Sequence, residues 1–326
     1  MKTTLNGALL FALVASTAAA QAKKPGQSLA LSKGIAQYEA EQLDQAKTTL
    51  TPLAKSGDAE AMFYLGRIAI EQSDGDEAVT WLEEATKQND RSSVYHQWLA
   101  TAYGVKASAA NPMTQMTLLP MLKRESERAV ELDSLNIDAR VNLMQFYLQA
   151  PPMAGGGVDK AREQLAAITA LNPYQGRLQS AAVAENQKDS LTTERILRDL
   201  AAAFPDSSTP SVRLATYYAN QKRYDDAFGV LEDRLRRSPN DGSALYQLGR
   251  VGALSGEKLD QAQSALDRYV KMPHKRGAPS IAAAHWRLGM VVEAKGDTKA
   301  AKAEYQRALR LDPKLTGAKV SLDKLK

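Results

Sequence analysis

The side chains that could carry out nucleophilic or metal chemistry are few in this sequence. The chain has no cysteine and three histidines, His96, His274 and His285. None of them forms an H-x-x-x-H or H-E-x-x-H pair, the spacing that places two zinc ligands on one face of a helix. Without cysteine there is no Cys–His dyad, and no G-x-S-x-G turn marks a serine nucleophile. We therefore expect no enzyme activity, no catalytic residue, no metal site and no cofactor.

Two loops carry groups that could meet an anion. The glycine-rich stretch 151–157 precedes Lys160, but its spacing is not that of a phosphate-binding loop and no strand is predicted before it. A wide turn between two helices is the preferred interpretation. A basic loop with Lys271 and residues 274–276 lies near the C-terminus, and we interpret it as solvated.

The N-terminal residues have the pattern of a secretory signal peptide. Lys2 is followed by an apolar stretch from Leu9 to Ala15 and by small residues at 18–20, which predicts a signal peptide over 1–20 with cleavage near 20–22. The apolar run is shorter than the roughly 20 residues that span a bilayer. We expect an exported chain, periplasmic or extracellular, with no membrane span after cleavage. Its net charge of +5 is too small to indicate a nucleic-acid partner.

A repeat of about 34 residues organises the remainder of the chain. Alanine, leucine, lysine, glutamate and arginine dominate the composition and favour helices. Prolines recur with spacings of 32, 34, 34 and 40 at Pro173, Pro205, Pro239, Pro273 and Pro313, and Leu-Gly or Leu-Ala pairs recur at 65–66, 99–100, 214–215, 248–249 and 288–289. A small residue at such a position lets two antiparallel helices approach closely, and a proline ends the second helix.

The run HWRLGMVVEAKGDTKAAKAEYQRALRLDP at 285–313 is the clearest repeat. It resembles a tetratricopeptide repeat, through Leu288, Gly289, Ala301, Tyr305 and Pro313. Residues 59–90 match the same pattern and also resemble the Sel1-type variant, so the chain is identified as an exported bacterial tetratricopeptide protein with Sel1-like character in its N-terminal repeats. The resemblance implies an all-α fold, a right-handed superhelical solenoid of about eight helix hairpins. The predicted repeats within the domain 21–326 are 27–58, 59–91, 92–135, 136–173, 174–206, 207–241, 242–279 and 280–315, followed by a short cap at 316–326.

The resemblance also implies a concave groove that is lined by the first helix of each hairpin. The positions of the pattern that face this groove carry Phe63, Arg67, Gln97, Asn142, Gln145, Arg213, Asn220, Tyr246, Arg250, Trp286 and Arg287. Arginine and aromatic residues often carry the binding energy of interfaces. We expect part of this set to be used for packing between helices instead. The Lys and Asn pattern with which some family members hold a terminal carboxylate is absent.

An insertion interrupts the third repeat between Tyr103 and Leu122, with a methionine-rich set at 113–121. We expect this segment to fold back over an exposed helix end, whereas the alternative is an adaptable surface for a partner. The sequence thus predicts a non-catalytic scaffold of the cell envelope that binds a protein or peptide in its groove. The alternative is a structural or assembly subunit of an envelope complex, or a homo-oligomer, that uses the solenoid ends or the insertion 104–121.

Overall fold

The structure is a computed structural model that describes residues 29–273 and 277–325. Within these residues it contains seventeen α-helices and no strand, which confirms the predicted all-α class. The predicted signal peptide and residues 274–276 of the basic loop lie outside the described residues. No helix that the structure describes is long and apolar enough to cross a membrane.

The helices alternate with short turns along the chain. Their bounds are α1 Leu29–Glu39, α2 Leu43–Lys55, α3 Ala59–Glu71, α4 Gly75–Gln88, α5 Ser93–Ala109, α6 Pro112–Leu132, α7 Ile137–Gln149, α8 Val158–Leu171, α9 Pro173–Asn186, α10 Ser190–Ala203, α11 Ser208–Asn220, α12 Tyr224–Arg237, α13 Gly242–Ser255, α14 Leu259–Tyr269, α15 Ile281–Ala294, α16 Thr298–Leu311 and α17 Thr316–Asp323.

The chain divides into two units, one up to Asn186 and one from Gln187. In the N-terminal unit, α1–α8 form four consecutive hairpins and α9 follows them. In the C-terminal unit, α10 comes first, α11–α16 form three hairpins and α17 closes the series. We call α1, α3, α5, α7, α9, α11, α13, α15 and α17 the first helices, and their surface the inner face.

Polar caps explain where many of these helices begin. The side chain of Asp58 accepts a hydrogen bond from the backbone N–H of Ala61, and Asp74 does the same for Glu77 at the start of the next helix. Such a cap stabilises a helix by about 1 kcal/mol. Ser92, Asn111, Asn136, Asp189, Asp241, Ser280 and Asp297 cap other helices in the same way.

The two helices of a hairpin cross at a glycine, as the sequence predicts. A Cβ built on Gly66 in α3 would lie 2.4 Å from Cγ of Leu82 in α4. The same relation joins Gly34 to Leu50, Gly249 to Leu266, and Gly289 to Tyr305. The larger partner is fully buried in each of the four hairpins. Each of these four hairpins is therefore closed by one glycine and one large side chain from its own two helices.

The hairpins of each unit stack through their first helices. In the N-terminal unit α1, α3, α5 and α7 each contact the following first helix, and in the C-terminal unit α11, α13 and α15 do so as well. Consecutive second helices make no contact of similar extent in the described residues. Because first helices lie closer together than second helices, each unit curves with the first helices on its inner side.

The insertion in the third repeat contradicts the prediction of a segment that folds back. It lengthens both helices of the hairpin, so that α5 has 17 residues and α6 has 21, with a short turn between them. Asn111 caps α6 and Pro112 lies at its first turn, where a missing N–H costs nothing. The glycine-rich stretch forms a turn between α7 and α8 that contains one 3-10 segment, Pro152–Ala154.

Candidate functional site

The most distinctive part of the inner face is Arg67 on α3. Its guanidinium carbon lies 4.7 Å from the ring centroid of Tyr38 on α1 and 4.6 Å from that of Trp98 on α5. The rings of Phe63 and Tyr64, on its own helix, lie at 5.4 and 5.3 Å. Aromatic faces attract a guanidinium by about 0.5–2 kcal/mol each. Three successive first helices thus hold one cation among four rings, which we call the Arg67 cluster.

The rings of the Arg67 cluster stabilise the charge of the guanidinium, but they do not accept a hydrogen bond from each of its N–H groups. The Nε atom of Arg67 is buried and has no hydrogen-bond partner among the residues that the structure describes. Phe63 is only 7% exposed, and its ring stacks on Tyr95 at a centroid distance of 4.8 Å. Burial, together with the nearby charges of Glu60 and Asp58, raises the pKa of Tyr95 to about 12, so this phenol stays protonated at neutral pH. The cluster is therefore a cationic and aromatic surface with an unused donor.

The predicted glutamine and asparagine residues connect neighbouring first helices. The side chain of Gln97 on α5 accepts a hydrogen bond from Asn136 at the start of α7, at 3.1 Å. Asn142 on α7 donates to Thr101 on α5 at 3.2 Å. Gln145 donates in turn to Gln179 on α9 at 3.4 Å. All of the predicted members of this row are half-buried, so they fix the stacking of hairpins and still border the inner face.

The predicted residues of the C-terminal unit fall into different environments. Arg213 on α11 is half-buried and Asn220 at the end of the same helix is exposed. Tyr246 on α13 is buried and packs against Tyr269 at a centroid distance of 5.4 Å. Trp286 on α15 donates from its indole N–H to Ser321 Oγ of α17 at 3.1 Å. Trp286 therefore packs against the terminal helix.

Arg250 on α13 and Arg287 on α15 are half-buried and lie on neighbouring first helices. Arg250 Nη1 and Arg287 Nε are buried, and neither has a hydrogen-bond partner within residues 29–273 and 277–325. The guanidinium of Arg287 lies 3.9 Å over the ring of Trp286. Burial is the main cause that lowers the pKa of Arg250, and the charge of Arg287 adds to it.

Sequence reasoning named Phe63 and Arg67 but missed the residues that surround them. The missing members are Tyr38, Tyr64, Tyr95 and Trp98. A signal was available, because the first three repeats concentrate aromatic residues in their first helices. Only the stacking of three helices, however, determines which of these rings meet.

Two buried histidine–glutamate pairs connect helices. His96 Nδ1 lies 2.6 Å from Glu125 Oε2, between α5 and α6, and His285 Nδ1 lies 2.6 Å from Glu304 Oε2, between α15 and α16. No group of three or more His, Cys, Asp or Glu side chains in the described part of the chain could hold a metal ion. Both pairs serve to join the two helices of one hairpin.

Comparison with known proteins assigns the repeats. The sequence profile of the tetratricopeptide repeat family matches residues 31–93 and 251–315. These two stretches resemble tetratricopeptide repeats. The first matched stretch includes Arg67 and three of its rings, and the second includes Trp286 and Arg287. Arg67, Trp286 and Arg287 thus lie within the matched stretches. The inner-face residues outside them are Gln97, Asn142, Gln145, Arg213, Asn220, Tyr246 and Arg250.

Similar proteins are distant in sequence. Over 212 residues the chain is 25% identical to cellulose synthase operon protein C of Pseudomonas fluorescens, a match that covers 64% of this chain and 15% of that protein. The chain therefore spans only a small part of the length of this curated relative. A tetratricopeptide repeat protein from Parabacteroides merdae superposes with a TM-score of 0.47 and 13% identity, covering 82% of this chain and 98% of that one.

The solved structure of yeast Tom70 gives a TM-score of 0.67 at 13% identity, covering 93% of this chain and 65% of that one. At this identity the likeness shows the fold alone. It agrees with the stacked helix hairpins of the described residues and confirms the predicted solenoid of tetratricopeptide repeats.

Proposed function

We propose that the chain is a non-catalytic scaffold that binds a protein or peptide on the inner face of its tetratricopeptide repeats. The observation that carries this proposal is a set of buried guanidinium atoms without partners, on Arg67, Arg250 and Arg287. A buried donor without a partner costs about 1–3 kcal/mol. A bound peptide offers carbonyl and carboxylate oxygens that would satisfy such donors once these side chains turn toward it, so binding would recover this energy.

The family supports a role in protein binding. Tetratricopeptide repeat proteins bind other proteins and are generally non-catalytic, and the family profile matches both ends of the described chain. The Arg67 cluster has the residue types, arginine with tyrosine and tryptophan, that dominate binding energy at protein interfaces. The other inner-face residues, among them Gln97, Asn142 and Gln145, supply polar contacts beside it.

We further propose that the chain acts in the cell envelope after export. The N-terminal pattern of Lys2, the apolar stretch and the small residues at 18–20 supports this location. The relative's name refers to a cellulose synthase operon, so components of a cellulose synthase complex are the first partners to test. N-terminal sequencing of the chain from fractionated cells will test export, and an intact residue 1 in the cytoplasmic fraction would contradict it.

Site-specific photo-crosslinking tests the inner face directly. A photoreactive side chain is placed at Gln97 or Gln145 on first helices, and in control variants at Lys87 or Glu131, which are exposed on second helices. We expect the inner-face variants to crosslink the same partner in cells that produce the chain, and the controls to give no such adduct. Equal adducts from the controls, or none from the inner face, would refute the proposal.

A second candidate function rests on the long hairpin of α5 and α6. Met113 is 81% exposed, and Met116 and Met121 are each 41% exposed, so the hairpin carries solvent-exposed methionines on α6. Methionine surfaces adapt to varied partners, which suits a subunit of an assembly or a homo-oligomer. Light scattering of the purified chain and of the Met113→Lys, Met116→Lys variant tests this. An oligomer that the variant disrupts supports it, and a monomer in both argues against self-assembly.

A further inference from the structure

The positive net charge of the chain comes from residues 295–326. These residues contain nine lysines and arginines and four aspartates and glutamates, and their net charge of +5 equals that of the whole chain. The residues before 295 are therefore neutral in sum. A charge that is small for the whole chain is large for a stretch of this length, so this part of the surface attracts anions.

Three of the four carboxylates in this stretch are engaged within the fold. Asp297 caps α16 by accepting a hydrogen bond from a backbone N–H, and Asp312 accepts a backbone hydrogen bond in the turn after this helix. Glu304 pairs with His285 Nδ1 at 2.6 Å. These carboxylates serve helix starts, a turn and a hairpin, and so offset little of the charge that the lysines and arginines present to solvent.

The basic side chains, in contrast, lie on the surface. From residue 299 to residue 324 the exposed ones are Lys299, Arg307, Arg310, Lys314, Lys319 and Lys324. Arg307 pairs with Glu304. Arg310, Lys319 and Lys324 form no ion pair with any residue that the structure describes. Their charges are therefore available to an external partner.

Apolar side chains are exposed between these cations. Leu311 follows Arg310 and is 55% exposed, and Val320 follows Lys319 and is 48% exposed. The eight residues of α17 span about 12 Å. This helix packs on α16, to which the turn 312–315 joins it. We call the following set the basic surface: Arg310, Leu311, Lys314, Lys319, Val320 and Lys324.

We propose that the basic surface docks the chain on a bilayer that contains anionic phospholipids. Lysine and arginine side chains near such a bilayer meet the negative charges of the headgroups, and each raises the affinity roughly fivefold. Leu311 and Val320 would enter the boundary between headgroups and acyl chains. A nucleic acid would meet the cations as well, but it offers no apolar medium to these two side chains. This docking uses neither a spanning helix nor the Arg67 cluster, so it goes beyond the proposed function.

Co-sedimentation with lipid vesicles tests the docking. The purified full chain is mixed with vesicles of phosphatidylcholine alone, or with vesicles of phosphatidylcholine and phosphatidylglycerol. We expect stronger binding to the anionic vesicles. Raising the ionic strength from about 0.1 M to about 1 M shortens the Debye length from about 10 Å to about 3 Å, and should abolish this preference. Equal binding to both kinds of vesicle at the lower ionic strength would overturn the proposal.

Paired charge variants locate the contact. Arg310→Gln, Lys319→Gln removes two cations of the basic surface and should weaken binding to the anionic vesicles by roughly 25-fold. Lys33→Gln, Lys55→Gln makes the same change of net charge at exposed lysines of the first hairpin and should leave the binding unchanged. Equal losses in the two variants would show that total charge, and not the basic surface, determines the binding.

An apolar variant separates a lipid surface from other polyanions. Leu311→Gln, Val320→Gln keeps every charge and should weaken binding to the anionic vesicles by roughly fivefold or more, because it removes apolar contact area. Unchanged binding would refute the bilayer as the partner. Both positions are exposed, and circular dichroism checks that the variant folds. Photo-crosslinking at the inner face does not depend on the basic surface, so a chain that crosslinks its partner but does not prefer anionic vesicles would refute this docking alone.

Discussion

Replacing Gly66 by alanine should destabilise the second hairpin, although alanine is the better helix former. Gly66 lies inside α3, where Gly→Ala alone would stabilise a helix by about 1 kcal/mol. The new Cβ would lie 2.4, 2.9 and 3.1 Å from three carbons of Leu82. Leu82 is fully buried and cannot swing away into solvent. The close approach therefore opposes the gain in helix propensity.

The size of the effect follows from these two opposing contributions. Overpacking of a close-packed core costs about 1–3 kcal/mol. Because the new Cβ would lie too close to three carbons of Leu82, the cost for Gly66→Ala should be near the upper end of this range. After subtraction of the propensity gain, we expect a net loss of about 2 kcal/mol in the free energy of unfolding. Leu82→Ala alone should cost about 2–5 kcal/mol, because it leaves a cavity at the same place.

A second background separates the steric contribution from the propensity. In Leu82→Ala the space around residue 66 is empty, so Gly66→Ala should become stabilising by about 1 kcal/mol, which gives a coupling energy of about 3 kcal/mol. Gly229→Ala is the matched control, since Gly229 is an exposed glycine within α12 whose added Cβ meets nothing within 4 Å. This control should stabilise the chain by up to about 1 kcal/mol.

Urea denaturation followed by circular dichroism gives these free energies, and hydrogen exchange of α3 and α4 localises the change to the hairpin. Local measurement matters because the repeats of a stacked array can unfold separately. Additive effects of Gly66→Ala and Leu82→Ala would show that the two residues do not limit the approach of the helices. That result would refute the account of hairpin closure in all four glycine-containing hairpins.

Three further predictions concern other contacts. The hydrogen bond that His96 donates to Glu125 is the main cause that raises the pKa of His96 above 6.5. The stability that this pair contributes is complete below pH 6.5 and is lost as the pH rises through the folded-state pKa. Urea denaturation at pH 6 and pH 8 should therefore show a larger loss on alkalinisation for wild type than for His96→Gln, and equal losses would contradict the assignment. Arg234→Met should cost about 3–5 kcal/mol of unfolding free energy, because it leaves Asp241 buried without its cation; an exposed arginine changed on the same helix should cost little. Trp286→Ala should release α17, whose eight residues are too few to stay helical alone, and this would appear as early proteolysis and fast hydrogen exchange at the C-terminus.

The repeat phase and the hairpin crossings could be predicted from the sequence because they depend on partners that are close along the chain. Gly66 on α3 and Leu82 on α4 lie in the same hairpin, whose two helices are joined by one short loop. Their relation recurs at Gly249 with Leu266 and at Gly289 with Tyr305. A glycine followed 16 or 17 residues later by a large residue is therefore a signal that lies within a single repeat.

The prediction that the insertion in the third repeat folds back was wrong because of two local signals, at Asn111-Pro112 and at Pro120. Asn111-Pro112 lies in this insertion, and an asparagine followed by proline is a typical start of a helix. In the structure Asn111 accepts a hydrogen bond from the N–H of Thr114, and the helix continues past Pro120. Because proline normally ends or bends a helix, Pro120 is a signal against one continuous helix over this segment.

The side-chain contacts of the inner face could not be predicted because they join different hairpins. Arg67 meets Tyr38 from the preceding hairpin and Trp98 from the following one, and the sequence pattern of one repeat contains no information on either. The residues that recur in every repeat close hairpins, whereas the residues that differ between repeats face their neighbours across the stack. Since recognition requires a surface that is not periodic, the specificity of this scaffold must come from the second set. Arg250 and Arg287 belong to that set, for their charges act on each other only because α13 and α15 are stacked.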